Sequence, residues 1–250
     1  MAIDVAVIGL GSMGQGMAAS LVRAGCRTWG NDAVAARVER VRREGGQPEP
    51  VSQVAAELDA VVVVVLTAAQ TDAVLFGDDG LAPRLRKGAV VVSCVTVSPE
   101  FARAMEARCV GAGLLYLDAP ISGGSARAAE GRLTVMASGA PAAFAAARPV
   151  LEATAERVFE LGDAAGDGSA MKAVNQLLAG VHIAAMAEAL TFGITQGVAP
   201  RRRRRARPMP SPSAGPAPLG PSRPRSARRD RAGPHARTRP PSRGRIQAIQ

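Results

Sequence analysis

Three glycines near the N-terminus, Gly9, Gly11 and Gly14, have the spacing GxGxxG and lie between an apolar strand pattern and a helical pattern. In a phosphate-binding turn, the first glycine permits the tight turn, the second lets the backbone approach a pyrophosphate, and the third allows the helix to pack on the strand. The helix that follows presents unpaired N–H groups and the positive end of its dipole. The sequence therefore predicts a dinucleotide-binding turn, which comprises Gly9, Leu10, Gly11, Ser12, Met13 and Gly14.

An acidic residue, Asp32, stands at the end of the second predicted strand, about 20 positions further along the chain. A carboxylate there suits the hydroxyls of an adenosine ribose and repels a 2′-phosphate, so NAD is favoured over NADP as the cofactor. Asn31 and Arg37 leave NADP as the alternative, since a nearby arginine accommodates the extra phosphate.

Apolar runs typical of strands alternate with helical periodicity over the first 160 residues. Strands are predicted at 5–8, 27–31, 60–66, 89–93, 114–118 and 133–138. Helices are predicted at 13–24, 33–44, 51–58, 99–110 and 141–153, and a long one follows at 169–198. Because the strand runs are continuous rather than alternating, we expect a parallel sheet that is covered on both faces.

The predicted fold is α/β: a Rossmann-type, doubly wound parallel sheet followed by a long helix and a disordered basic tail. We place an NAD-binding domain at 1–165, a long interdomain helix that begins an all-α domain at 166–200, and the tail at 201–250. No continuous apolar run approaches the roughly 20 residues of a membrane span, so no membrane segment is predicted.

Three further stretches follow predicted strands or open the long helix: SCVTVSPE, DAPISGGSARAAEGRLTVMASG and GDGSAMKAVNQ. Together with the glycine turn, they resemble the β-hydroxyacid dehydrogenases over residues 3 to about 200. The likeness rests on GLGxMG, TVSP, DAPxSGG and GxGxxxKxxN motifs. Within the family, AAQTDAVLFG and VNQLLAGVHIAAMAEAL are most similar to the L-threonate dehydrogenases, which oxidise a sugar acid at C2 with NAD.

The resemblance implies a role for each matching residue. Lys172 corresponds to the catalytic lysine, the general acid and base of the reaction, and its helix is apolar, so partial burial is expected to lower its pKa. Asn175 lies one turn later on the same face and corresponds to a substrate-anchoring asparagine. Gln176 is a possible supporting donor, whereas His182 is interpreted as a packing residue.

The same comparison assigns the remaining contacts. Ser122, Gly123 and Gly124 correspond to the loop that holds a substrate carboxylate. Thr96 corresponds to a contact on the nicotinamide side of the cofactor, and we also assign cofactor contacts to Leu66 and Thr67. Tartronate semialdehyde and 3-hydroxyisobutyrate remain the alternative substrates, and the family implies a homo-oligomer.

The three cysteines, Cys26, Cys94 and Cys109, have no metal-ligand spacing, so free thiols, a reducing cytoplasmic compartment and no metal site are predicted. The net charge of +10 is concentrated in the tail, where residues 201–250 carry 15 arginines and a single acid. The preceding 200 residues carry a net charge of −4, so binding to nucleic acid is considered for the tail alone.

The tail has ten prolines and no aromatic residue, which predicts disorder. It lacks the family's later SW and KDL motifs, and the codons of Gly215 to Pro221 permit AGTSWA in a shifted frame. We interpret the tail as an aberrant, frameshifted ending, and we expect weak NAD binding and slow turnover. The alternative is a non-catalytic NAD-binding fragment with a polybasic interaction arm.

Overall fold

A five-stranded parallel sheet forms the centre of the fold in a computed structural model, which describes residues 3–198. Its strands are β1 (Asp4–Ile8), β2 (Arg27–Asn31), β3 (Ala60–Val63), β4 (Val90–Ser93) and β5 (Leu115–Asp118), in the order β2-β1-β3-β4-β5. A second sheet contains β6 (Ile121–Ser122), β7 (Leu133–Ala137) and β8 (Ala155–Glu160).

Helices connect the strands and cover the sheet. They are α1 (Gly14–Arg23), α2 (Ala35–Arg43), α3 (Val51–Val54), α4 (Ala68–Phe76), α5 (Pro99–Gly111), α6 (Gly124–Glu130), α7 (Pro141–Thr154) and α8 (Asp167–Thr195). Two short 3-10 turns lie at Ala55–Glu57 and Ala82–Arg84.

The central sheet is buried on both faces, as the continuous apolar runs predict. Val5 and Val7 of β1 pack with side chains of α1, α2 and α7 in one apolar cluster. Ala6 and Ile8 point to the other face and pack in a second cluster with side chains of α3, α4 and α5. Alternate residues of each strand thus contribute to opposite layers, which confirms the doubly wound α/β fold.

The five parallel strands end at the same level. Ile8 is the register partner of both Asn31 and Val63, and Ser93 is the partner of both Val63 and Asp118. The segments that follow these five residues therefore emerge along one edge of the sheet. In open α/β sheets, ligands bind outside this carboxyl edge.

The structure departs from the prediction at the third and sixth strands, and it contains helices and strands that were not predicted. The predicted strand 133–138 becomes β7, which belongs to the second sheet rather than to the parallel one. The predicted strand 60–66 ends at Val63, and Leu66 is 86% exposed. Helices α4 and α6 and strands β6 and β8 were missed, because none of them is marked by a long amphipathic or continuous apolar pattern.

The described chain divides into two units, the first ending at His182 and the second beginning at Ile183. Helix α8 runs through this point, and among the described residues it is the one helix long and apolar enough to cross a membrane. The search for a continuous apolar run did not single out α8, because isolated polar residues interrupt a helix that is apolar on average. Core helices of soluble proteins meet the same criterion, so α8 alone is weak evidence for a membrane span.

Candidate functional site

The glycine turn between β1 and α1 is closely packed at its first and third glycines. Gly9 has a φ of +92°, and a Cβ added to it would lie 2.8 Å from the carbonyl oxygen of Val64. A Cβ on Gly14 would lie 1.9 Å from the carbonyl oxygen of Gly9. A Cβ on Gly11 would have no neighbour within 4 Å. The first and third glycines therefore close the turn, whereas the second leaves the backbone open to a ligand.

The start of α1 adds features that suit an anion. Met13 occupies the N-cap position, and no side chain of the described residues caps this helix end. Ser12 is exposed beside it. An uncapped helix start offers N–H groups and a positive dipole end to phosphate oxygens. The turn thus has the open backbone and the donors that a dinucleotide pyrophosphate requires.

Asp32 is joined to the glycine turn by hydrogen bonds. Its Oδ2 atom accepts a hydrogen bond from the Leu10 N–H at 2.7 Å, and its Oδ1 atom accepts one from the Val34 N–H at 2.8 Å. Arg37 forms an ion pair with the same carboxylate at 3.2 Å. Partial burial opposes ionisation, but the two backbone donors and Arg37 hold the pKa of Asp32 below its usual range. The carboxylate is therefore fixed and charged next to the turn.

The other predicted cofactor residues emerge at the same edge of the sheet. Leu66 and Thr67 follow β3, and the Thr67 hydroxyl accepts a hydrogen bond from the Gln70 N–H in a capping box that begins α4. Thr96 follows β4 and is exposed. Two residues later, Ser98 caps α5 by accepting a hydrogen bond from the Phe101 N–H. Cofactor contacts from Leu66, Thr67 and Thr96 stay predictions, since helix capping alone explains why Thr67 and Ser98 stand at these positions.

A cleft of about 890 Å³ opens beside the turn. It runs between α1, α2 and α6, and its lining includes Leu10, Gly11, Ser12, Arg37, Arg40 and Ser125. The cleft thus joins the open backbone of the turn to the arginines near Asp32. Its size and these donors fit a dinucleotide.

Lys172 lies in the first turns of α8 and is 7% exposed. Its Nζ atom donates a hydrogen bond to the carbonyl oxygen of Ile121 at 2.7 Å. Burial lowers the pKa of the Lys172 ammonium, because desolvation penalises the charged form. The buried position that the sequence predicts is confirmed, whereas the role of this amine in catalysis stays a prediction.

The loop after Ile121 is where the predicted substrate residues lie. Ser122 ends β6, Gly123 has a φ of +134° and Gly124 has a φ of +79°, so both glycines adopt conformations that other residues rarely take. Since Lys172 binds the carbonyl of Ile121, its amine is fixed beside this loop. The loop and the lysine, which are 50 residues apart along the chain, are thus brought together.

The other polar residues of α8 are less constrained. Asn175 is partly buried, one turn beyond Lys172, whereas Gln176 is exposed. His182 is exposed as well, so its interpretation as a packing residue was wrong.

Close packing of α6 on α1 joins the loop at Gly123 to the glycine turn, a link that the sequence analysis missed. A Cβ on Gly16 would lie 2.6 Å from the backbone nitrogen of Ala129. The Ser20 hydroxyl donates a hydrogen bond to the carbonyl oxygen of Ala128 at 2.9 Å. The only signal was the small residue type at these positions, GQGMAAS, which is also typical of ordinary helix packing.

Comparison with protein families gives matches to two domains. The NAD binding domain of 6-phosphogluconate dehydrogenase matches residues 4–162. The NAD-binding domain of NADP-dependent 3-hydroxyisobutyrate dehydrogenase matches residues 166–206.

Individual relatives cover much of the chain. It is 46% identical over 201 residues to an L-threonate dehydrogenase of Cupriavidus necator, with 80% of this chain and 68% of the relative covered. It is 45% identical over 197 residues to that of Haemophilus influenzae, with 78% and 65% covered. The crystal structure of a 3-hydroxyisobutyrate dehydrogenase from Salmonella typhimurium superimposes with a TM-score of 0.74 and 42% identity, covering 78% of this chain and 69% of that one. The chain thus spans about two thirds of the length of these relatives, and it belongs to the β-hydroxyacid dehydrogenase family.

Proposed function

We propose that this protein is an NAD-dependent hydroxy acid dehydrogenase that oxidises L-threonate, with Lys172 as its general acid and base. One observation carries the proposal: the Lys172 amine is buried and fixed beside the Ser122 loop, which leaves the sheet at the same edge as the glycine turn. This contact supports a role for the amine as a proton-transfer group for a substrate held by the Ser122 loop.

The chain's own residues would handle the hydroxyl proton and hold the substrate. NAD, when bound, supplies the hydride acceptor. One N–H of a neutral Lys172 amine remains bound to the Ile121 carbonyl, which leaves the nitrogen lone pair to accept the proton of the substrate hydroxyl. The Ser122 hydroxyl and the N–H groups of Gly123 and Gly124 would bind the carboxylate. Asn175, on the same helix face as Lys172, would bind a further hydroxyl.

The choice of L-threonate is supported by the names of the relatives at 45–46% identity. The name of the Salmonella relative favours 3-hydroxyisobutyrate as the second candidate. These acids differ in their hydroxyl groups, so the polar contacts of Asn175 would discriminate between them.

The test compares oxidation of L-threonate, 3-hydroxyisobutyrate and glycerate by the purified chain, followed by the absorbance of NADH. Enzyme is kept in excess over NAD so that a slow single turnover is measured. We expect the fastest reduction of NAD with L-threonate. NADH binding without turnover of any acid would support instead the non-catalytic NAD-binding fragment.

The pH dependence of turnover is expected to follow Lys172. Oxidation requires the neutral amine, so its rate should rise with pH and level off above the pKa of Lys172. Reduction of the keto acid requires the ammonium form, so its rate should fall through the same range. Because burial lowers this pKa, the midpoint should lie below the value of about 10.4 that is usual for lysine. Measurement of kcat/KM in both directions checks this, and identical slopes in both directions would contradict it.

Replacing Asp32 by asparagine is expected to shift the cofactor preference towards NADP by about tenfold or more. Tenfold corresponds to about 1.4 kcal/mol, the free energy of roughly one well-placed charged contact. The change removes the charge that repels a 2′-phosphate and frees Arg37 from its ion pair. The measurement is the ratio of the NADPH and NADH dissociation constants. The double variant Asp32→Asn/Arg37→Ala is the control, and it should lose most of the gain. An unchanged ratio in Asp32→Asn would contradict the role of Asp32.

A further inference from the structure

The buried carboxylate of Asp118 binds the start of α8. Asp118 is the last residue of β5 and is fully buried. Its Oδ2 atom accepts hydrogen bonds from the N–H groups of Gly166 at 3.0 Å and Ser169 at 2.8 Å, and its Oδ1 atom accepts one from the Ser169 hydroxyl at 2.8 Å. A carboxylate in this position satisfies N–H groups that a helix start would otherwise leave unpaired.

Ser138 extends this anchor to the second sheet. Its N–H group donates to the Asp118 carbonyl at 2.8 Å, and its hydroxyl accepts a hydrogen bond from the Gly168 N–H at 2.9 Å. A Cβ on Gly168 would lie 2.5 Å from the Met136 carbonyl oxygen and 2.9 Å from that of Asp118. The start of α8 is therefore packed directly against the ends of β5 and β7, with no room for a side chain at Gly168.

The anchor acts one helical turn before Lys172. Ser169, which makes two of the bonds to Asp118, precedes Lys172 by three residues, so both lie on the same side of α8. Ile121, whose carbonyl binds the Lys172 amine, follows Asp118 by three residues. One short segment, residues 118–121, therefore fixes the helix start and the head group of the lysine together.

Electrostatics favour a carboxylate at this point. A negative charge at a helix N-terminus is stabilised by the helix dipole. Burial raises the pKa of Asp118, while the hydrogen bonds from Ser169 and Gly166 act in the opposite direction. The titratable groups that face Asp118 are the Cys94 thiol, whose pKa burial raises to about 12, and the Tyr116 phenol, whose pKa burial also raises. Asp118 thus interacts with donors of the helix start rather than with a basic side chain.

We propose that Asp118 is a positioning residue: by binding the first turn of α8, it holds the Lys172 amine against the Ile121 carbonyl in a water-excluded position. The inference rests on the proposed function, because it concerns the placement of the proposed general base. It also implies that the start of α8 is occupied by a protein carboxylate, so a substrate carboxylate must bind elsewhere in the site.

The test measures the accessibility of Lys172 and does not require turnover. Lys87 and Lys172 are the only lysines in the chain, and Lys87 is exposed, so it serves as an internal reference. The intact protein is acylated with acetic anhydride at a series of pH values, and mass spectrometry gives the ratio of Lys172 to Lys87 labelling. In wild type, the acylation rate of Lys172 should be lower than the rate expected for a fully exposed amine of the same pKa, because the Lys172 amine is buried.

In Asp118→Asn, an amide nitrogen replaces one acceptor of the helix N–H groups. The Lys172 to Lys87 ratio should rise about fivefold. Loss of one helix cap makes local opening of the helix start about fivefold more frequent, and Lys172 is labelled in the open state. The pH midpoint of Lys172 labelling should rise towards the value that is usual for a lysine in water. Asp163→Asn is the matched control, since it makes the same change at an exposed position before α8 and should leave the ratio unaltered. NADH binding should be retained, because Asp118 ends β5 and Asp163 follows β8, whereas the glycine turn follows β1.

Wild-type labelling in Asp118→Asn with NADH still bound would overturn the inference and leave the proposed function intact. Failure of every acid to be oxidised, with the labelling shift observed, would refute the proposed function alone. If Asp118→Asn does not fold, Ser169→Ala decides, because it removes only the hydroxyl donor. A raised ratio in Ser169→Ala supports the anchor, and a ratio equal to wild type overturns it.

Discussion

Replacement of Lys172 by alanine is expected to slow hydride transfer about 10²- to 10⁴-fold, the contribution of a positioned general acid or base. The amine is buried and is held at 2.7 Å from the Ile121 carbonyl, so its loss removes the proton acceptor that is fixed beside the substrate loop. The rate of NAD reduction in a single turnover measures this effect. NADH affinity should change little, since Lys172 belongs to α8 and its amine binds the Ile121 carbonyl rather than the glycine turn.

Two further variants separate chemistry from packing. Lys172→Met keeps most of the buried side-chain volume but has no amine, so it should be as slow as the alanine variant. Lys87→Ala is the matched control, because Lys87 also donates to a backbone carbonyl, that of Ala112, but is exposed. Its turnover should equal that of wild type. A Lys172→Met variant that reduces NAD at the wild-type rate would exclude Lys172 as the general base.

The dinucleotide turn could be predicted because its signals are local. An apolar strand, three glycines at fixed spacing and a helical pattern follow one another directly, and Asp32 stands where the next strand ends. Parallel strands that end level bring distant loops to one edge, so the segments that contain Thr96 and Ser122 could be assigned to the same edge of the sheet as the turn without any knowledge of side-chain contacts.

The contacts that complete the site could not be predicted in the same way. The hydrogen bonds of Asp118 with Ser169 and of Lys172 with Ile121 each join residues 51 positions apart. The hydrophobic periodicity of a sequence gives no information on contacts between such distant residues. The second sheet was missed because β7 is as apolar as a strand of the parallel sheet, and only its pairing with β6 and β8 distinguishes it. Helix α4 was missed since a capping box, rather than an amphipathic stripe, marks its start.

Alanine at Gly14 is expected to destabilise the fold by on the order of 3 kcal/mol or more, the upper range for a group forced into a filled space. The added Cβ would lie 1.9 Å from the carbonyl oxygen of Gly9, and backbone atoms cannot move aside as a flexible side chain can. Urea unfolding measures the free energy, and the single tryptophan, Trp29, is buried in β2 and reports the transition by fluorescence. A variant as stable as wild type would show that the helix does not pack on the turn this closely.

Alanine at Gly11 is the matched comparison. It is expected to weaken NADH binding and to leave the stability of the fold nearly unchanged. A Cβ there has open space around it, so the free energy of unfolding should change by no more than about 0.5 kcal/mol. NADH affinity should fall about tenfold or more, a loss of about 1.4 kcal/mol, because the methyl group occupies the space through which a pyrophosphate reaches the backbone. Titration of NADH binding in the folded variant checks this. If Gly11→Ala bound NADH like wild type, the pyrophosphate would have to lie away from this turn, and its open backbone would have no part in cofactor binding.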